Sequence, residues 1–470
     1  MRSRLSFYRQ LRRFFLQRSA SLLSAACIVL TGVAVALRIL PDAPAAFFLT
    51  GVVLVEFIRH MDRGVPYVQL AGLVATLQWV LGPALGYDSE AVFERYQMYV
   101  DSDVYFRFAI PSTCSYLIGL MILGRSVPPR ELLSLVNRAT MFNAAVVLCL
   151  IGNGMLFLRD SPSGVGFVLQ LIAQFRFVGV LYFLFSRHRH RYLFVALSLA
   201  PVVFFAVSST YFHDLLLWLA IVFIYWLSMD RRSTAVKLGL LGAGAVAMFM
   251  IQAVKAEYRK AVAADSQSAS LVSLIVDKFL LDGAGWNQET FDNVVVRLNQ
   301  GWIVSAVMAN MPENESFVEG STYLEAVKAA LVPRFLVADK AEANLRFNFR
   351  RFTGLEIADS TSMGVSPLGE AYANFGEFGG VFCIGMYGLF WGGFVRLMLV
   401  FCFRAPVFVL WLPVIFYSAI KAETESIVVL NHLVKGSVFV GLSCLFIGQL
   451  FPMPFLRLRG GVRVADRAIG

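Results

Sequence analysis

Residues 164–186 read GVGFVLQLIAQFRFVGVLYFLFS, and Arg187, Arg189 and Arg191 follow at once. An apolar run of about 20 residues crosses the ~30 Å hydrocarbon core of a bilayer as helix. Cations crowded at one end are the mark of a crossing that finishes on the cytoplasmic side. Similar blocks recur along the whole chain. Of its 470 residues 58% are hydrophobic and 15% charged, with a mean hydropathy of +0.68. A soluble chain is nearer half apolar and a quarter charged. A soluble enzyme, a secreted disulfide scaffold and a disordered chain are therefore excluded. The reading is an all-α polytopic integral membrane protein.

Twelve spans are expected, at roughly 20–40, 43–58, 65–86, 108–124, 139–158, 164–186, 192–207, 212–229, 238–254, 375–395, 405–420 and 428–450. With the N-terminus inside, strict alternation puts 23 Lys and Arg in inside segments and 5 in the short outside ones. That asymmetry predicts cytoplasmic ends. The net charge of +10 is thus a matter of orientation, and no nucleic-acid partner is expected. The six cysteines lie in apolar blocks without metal-ligand spacing, so neither a disulfide framework nor a metal site is expected.

The chain then divides into nine spans over 1–254, a polar outer loop over 255–373, and three spans with a cytoplasmic tail over 374–470. The loop carries 11 Lys or Arg and 15 Asp or Glu. Helical spacing over 268–281 and 290–309, and Thr322 with Glu325 as a capping box before Pro333, predict a helical cap on the membrane.

Several polar residues are candidates for chemistry. Arg334, Lys340, Arg346, Arg350 and Arg351 form a basic run whose guanidinium forks suit phosphate oxygens. Arg346 and Arg350, four apart, share a helix face. Glu370 and Asn374 stand one turn apart at the start of the 375–395 span, where a carboxylate can act as general base. Within a span a charge is costly and defaults to function. Arg176 lies about 18 Å below its outer end, at ~1.5 Å per residue, and the neighbouring Gln170 and Gln174 share a face. His213-Asp214 opens the 212–229 span, and Glu423, Glu425, Asn431, His432 and Lys435 gather near the start of the last.

A late outer loop with Pro333-Arg334, then Lys340, Gly354 and Gly369-Glu370-Ala371-Tyr372-Ala373-Asn374-Phe375-Gly376 with Gly379-Gly380, resembles the O-antigen and exopolysaccharide repeat-unit polymerases (Wzy type). The motif likeness runs from about Arg297 to Gly380. Where many members carry a Ser-Arg-Gly turn, this chain reads Ser208 to Asp214, with His213 as the nearest substitute. The resemblance implies a GT-C-like, metal-independent glycosyltransferase of the bacterial inner membrane without a cofactor. It would join undecaprenyl-pyrophosphate-linked glycans on the periplasmic face. Membrane lipids and a chain-length regulator would be its partners. Glu370, His213 and His432 are the implied acid–base candidates. Arg176, Arg297, Arg334, Lys340, Arg346, Arg350, Arg351 and Asn374 are the implied substrate contacts. An O-antigen ligase-type transferase, relying on an outer His and Arg, is the alternative. A lipid-linked oligosaccharide flippase is a further one, although the chain shows no internal repeat.

Overall fold

The computed structural model describes residues 21–88, 96–136, 138–157, 166–209, 212–230, 233–263, 270–281, 283–332, 345–358 and 363–450. These residues are helical almost throughout. Among them β pairing is limited to an isolated bridge between Val65 and Val127. Helix occurs in each of the twelve expected apolar stretches. Eight of the helices are at least 18 residues long and apolar enough to cross a membrane: Asp42–Met61, Tyr67–Asp88, Ser102–Leu123, Gly166–Phe185, Arg191–Ser209, Thr234–Val262, Ser366–Arg404 and Ser426–Ile447. Phe48, Phe204, Phe382 and Leu442 project from these helices into the surroundings, as Leu22 does from the shorter apolar helix Ser21–Ala36. A soluble protein would bury them, whereas lipid accepts them at no cost.

The packing is built on close helix approach. The long helix Ser366–Arg404 runs along Ser102–Leu123. A Cβ at Gly119 would stand 2.2 Å from the Gly385 carbonyl, and one at Gly388 2.3 Å from the Tyr116 carbonyl. Apolar burial gives little drive between helices in lipid, so small residues that let backbones touch supply the van der Waals energy. Buried aromatic groups find partners inside the bundle. Tyr67 and Tyr225 hydroxyls meet at 2.8 Å, Tyr225 donates to the Val409 carbonyl at 2.6 Å, and Trp79 Nε1 donates to the Ala422 carbonyl at 3.1 Å.

Side-chain pairs between distant segments join regions assigned to one side by the alternation. Lys237 meets Asp62 at 2.8 Å at one end of the bundle. At the other, Lys421 meets Asp214 at 3.1 Å, Arg107 meets Glu377 at 2.9 Å and Arg38 meets Asp103 at 3.7 Å.

At that second end sits a helical cap made from the polar loop. Its bounds differ from the expected 255–373. The preceding helix continues to Ala263, and the following one begins at Ser366. The expected 290–309 helix is two, Gln288–Leu298 and Gly301–Asn310. The second is buried almost entirely, and Trp302, Ile303, Val307, Phe349 and Phe352 give the cap a small core of its own. The capping box at Thr322 does not form. Gly320, with φ 87°, precedes helix Ser321–Leu331, and no side chain caps it.

Candidate functional site

Two clusters of polar side chains lie at the cap end. The first surrounds Glu370, which is 2% exposed. Ser426 N–H donates to its Oε2 at 2.8 Å and the Ser426 hydroxyl to its Oε1 at 2.6 Å. Asn374, one turn on, donates to the Glu370 carbonyl at 2.7 Å and to Thr322 Oγ1 at 2.8 Å, and its Oδ1 accepts from Gly320 N–H at 2.8 Å. Beside it Glu425, 1% exposed, accepts from Val365 N–H at 3.0 Å and from Asn348 Nδ2 at 2.9 Å. Burial, then repulsion from Glu370, pushes the Glu425 carboxyl up to about 7, against the pull of those two donors. Two residues after Asn374 the long helix kinks at Gly376, whose φ of 66° suits glycine. The cluster ties the helices beginning at Ser321, Ser366 and Ser426 to the cap helix Leu345–Thr353. Glu370 therefore does not stand open at a membrane mouth, as its place in the sequence led one to expect. Its oxygens are committed to Ser426.

The second cluster lines a cavity of about 340 Å³. The expected helix 164–186 is interrupted there. Helix Gly166–Ala173 stops, Gln174 forms a turn, and Phe175–Phe185 begins. No proline or glycine causes the break. Gly152 of the neighbouring helix lies against it so closely that a Cβ would meet Arg176 N at 2.2 Å. Gln170, Gln174, Arg176, Ser209 and Asp214 supply the polar lining, and Trp218 and Tyr417 part of the apolar one. Phe177, Trp218 and Tyr417 stack, with centroids 4.5 Å and 5.2 Å apart. Asp214 Oδ1 accepts from the Tyr417 hydroxyl at 2.6 Å and from Lys421 Nζ at 3.1 Å. Among the described residues, Arg176 Nε and Nη1, Gln174 Oε1 and Ser209 Oγ are buried atoms without a hydrogen-bond partner. Buried polar atoms are nearly always paired, so four in one cavity call for an explanation.

The other candidates are placed elsewhere. His432 is buried on the last helix, not on the cavity wall. Its Nε2 faces the Val414 carbonyl at 2.8 Å and its Nδ1 the Ser418 hydroxyl at 2.7 Å. A carbonyl only accepts, so Nε2 carries the hydrogen and both ring nitrogens are engaged. Neither Glu425 nor His432 lines this cavity. His213 opens helix His213–Met229, and its side chain lies outside the described residues, as do Arg334 and Lys340. Arg346 is half-buried on the cap helix. Arg350 Nη2 donates to the Ile357 carbonyl at 2.7 Å, with Nε 3.0 Å from Glu356, and Arg351 pairs with Glu315 at 2.6 Å. Arg297 Nη1 donates to Gln252 at 3.1 Å. The basic run thus spends two of its guanidinium groups on carboxylates of the cap itself. Asp214, singled out in the sequence beside His213, reaches the site, and Ser209 and Tyr417 join it without a spacing signal in the sequence.

No family model matches the chain, and no curated protein or solved structure matches it.

Proposed function

We propose that the chain is a glycosyltransferase that joins undecaprenyl-pyrophosphate-linked oligosaccharide repeat units into O-antigen or exopolysaccharide. The reading places it in the bacterial inner membrane with twelve crossings, a GT-C-like arrangement and its active face periplasmic. The observation that carries it is the guanidinium of Arg176, held inside a span at a polar cavity with Nε and Nη1 unpartnered among the described residues. Loss of a diphosphate leaving group puts negative charge on oxygens in a water-poor place. A fixed cation there stabilises the transition state most, on the order of 10²–10³ in rate per donor. Arg176 is accordingly the diphosphate contact. Asp214, held by Tyr417 and Lys421 at the same cavity, takes the role first given to Glu370. As the acceptor oxygen bonds to the anomeric carbon, its proton passes to the carboxylate. The bond from that carbon to the phosphate oxygen breaks, and the electron pair leaves with the diphosphate.

The test is glycan sizing in cells. Deletion of the gene should leave single repeat units on the acceptor in place of long chains. Complementation with Arg176→Ala should fail at unchanged membrane abundance, and Arg176→Lys should restore short ladders only, since an ammonium lacks the bidentate fork. Loss of even the single unit on deletion would point to a flippase, and full ladders with Arg176→Ala would remove the cavity from the chemistry.

A further inference from the structure

The helix break does more than expose Arg176. In an unbroken helix, residues two apart point about 200° away from each other. Gln174 and Arg176 should then face opposite sides, one toward the bundle and one away. Both side chains nevertheless line the same cavity. Gln174 keeps a right-handed helical backbone, φ −72° and ψ −12°, in a tightened 3-10-like step. Gln174 N–H donates to the Leu171 carbonyl at 3.2 Å, and its carbonyl accepts from Phe177 N–H at 3.0 Å and Val178 N–H at 3.3 Å.

What the two side chains offer is opposite in kind. The guanidinium of Arg176 only donates, and its Nε and Nη1 have no partner among the described residues. Oε1 of Gln174 only accepts, and it too has none, on a residue 5% exposed. The Ser209 hydroxyl, able to do either, is a third group on the wall without a partner among the described residues. An occupant that satisfies this wall must carry anionic acceptor oxygens for Arg176. It must also carry O–H or N–H donors, a short distance away, for Gln174. A bare diphosphate supplies the first and leaves the amide oxygen facing other acceptors. A sugar esterified to the diphosphate supplies both, through its ring hydroxyls.

We propose that the cavity recognises a diphosphate and the hydroxyls of the sugar joined to it as one unit, with Arg176 as the anion contact and Gln174 as the residue that sets specificity for a glycosylated lipid. This rests on reading the cavity as a lipid-diphosphate site. It adds that the site discriminates against the spent carrier, whose diphosphate no longer bears a sugar, so that product leaves more readily than substrate.

The experiment uses the full chain in phosphatidylglycerol nanodiscs and two soluble probes, farnesyl diphosphate and farnesyl diphosphate carrying one hexose. The wild type should bind the glycosylated probe roughly tenfold more tightly, the worth of about one buried hydrogen bond. Gln174→Met, close in size and unbranched, should erase that preference and leave farnesyl diphosphate binding within about twofold. Gln174→Glu should weaken both probes, because its carboxylate competes for Arg176, and Arg176→Ala should lose both. Equal binding of the two probes to the wild type, or a preference retained by Gln174→Met, overturns the specificity proposal while leaving the diphosphate site standing. Displacement of the glycosylated probe when phosphatidylethanolamine replaces phosphatidylglycerol would give the donor role to an ammonium headgroup and overturn the sugar assignment. If the wild type binds neither probe, the lipid-diphosphate reading itself fails, and this proposal with it.

Discussion

The carboxylate cluster at Glu370 and the cavity at Arg176 share one end of the bundle and are linked by the short turn from Lys421 to Glu425. They differ in whether the protein satisfies them. Glu370 and Glu425 each accept two hydrogen bonds, drawn from segments more than fifty residues away in sequence. Arg176, Gln174 and Ser209 leave four buried atoms open among the described residues. Taking a polar group out of water is costly, and an internal bond offsets that cost. The first cluster has recovered it within the fold and so behaves as a fastening. The second has not, and its missing partner is best sought in a ligand.

The sharpest way to break this contrast is to truncate one member of each cluster and read stability and activity separately. Glu370→Ala strands the Ser426 amide and hydroxyl in a buried place. It should cost about 3 kcal/mol or more, seen as a clear fall in the detergent melting temperature. Arg176→Ala removes a cation whose Nε and Nη1 have no hydrogen bond to lose among the described residues, and whose contact with the Phe177 ring is weak. Its melting temperature should hold or rise, while polymer formation falls by a factor on the order of 10²–10³. If Arg176→Ala unfolds the protein, or Glu370→Ala silences it at full stability, the two clusters have been assigned the wrong way round.

A smaller effect is expected beside Glu370. Asn374→Ala removes three bonds, to Gly320, Thr322 and the Glu370 carbonyl, and should destabilise by about 2–3 kcal/mol. Gly376→Ala forces a Cβ into a left-handed backbone and to 3.0 Å from the Phe317 ring, for roughly 1–3 kcal/mol. Both should lower the melting temperature and move activity only through it. A loss of polymer with either variant at wild-type stability would mean that the fastening also shapes the reaction.

Much of the helical bundle can be read from the chain because lipid imposes one rule on every span, a long apolar run bounded by polar residues. Arg176 also stands out in sequence, since a charge inside such a run demands a partner. The site around it does not. The step at Gln174 has no proline or glycine to announce it, and the close approach of Gly152 to Arg176 has no local signal either. Helical spacing sets Gln170 and Gln174 on one face and does not by itself bring Arg176 to it. Spacing likewise drew attention to Glu370 and Asn374 without showing that Ser426 and Thr322 would enclose them. The basic run reads as a phosphate clamp for the same reason. Nothing local says that Arg351 will fold back onto Glu315, or that Arg350 will turn to Glu356.

The finest difference between the clusters is their response to pH. Glu425 has its carboxyl pushed up to about 7 from an ordinary 4.5, by burial first and Glu370 second. A carboxyl that is harder to ionise when folded stabilises the fold while it keeps its proton. That contribution is whole below about 4.5, where the unfolded chain is protonated too. It declines as pH rises and is gone once pH passes about 7, because the folded protein must then hold a charge beside Glu370. The full swing is on the order of 3 kcal/mol at most. Wild type should therefore melt at progressively lower temperature from pH 5 to pH 8. Glu425→Gln keeps the shape and cannot ionise. It should start lower, by about 1 kcal/mol for the mismatched amide against Val365 or Asn348, and then stay flat over the same range. The Arg176→Ala variant should keep the wild-type slope, since a guanidinium does not titrate there. A slope that survives Glu425→Gln would place the titrating group elsewhere, and a slope lost with Arg176→Ala would show that the two clusters are coupled through the 421–425 turn.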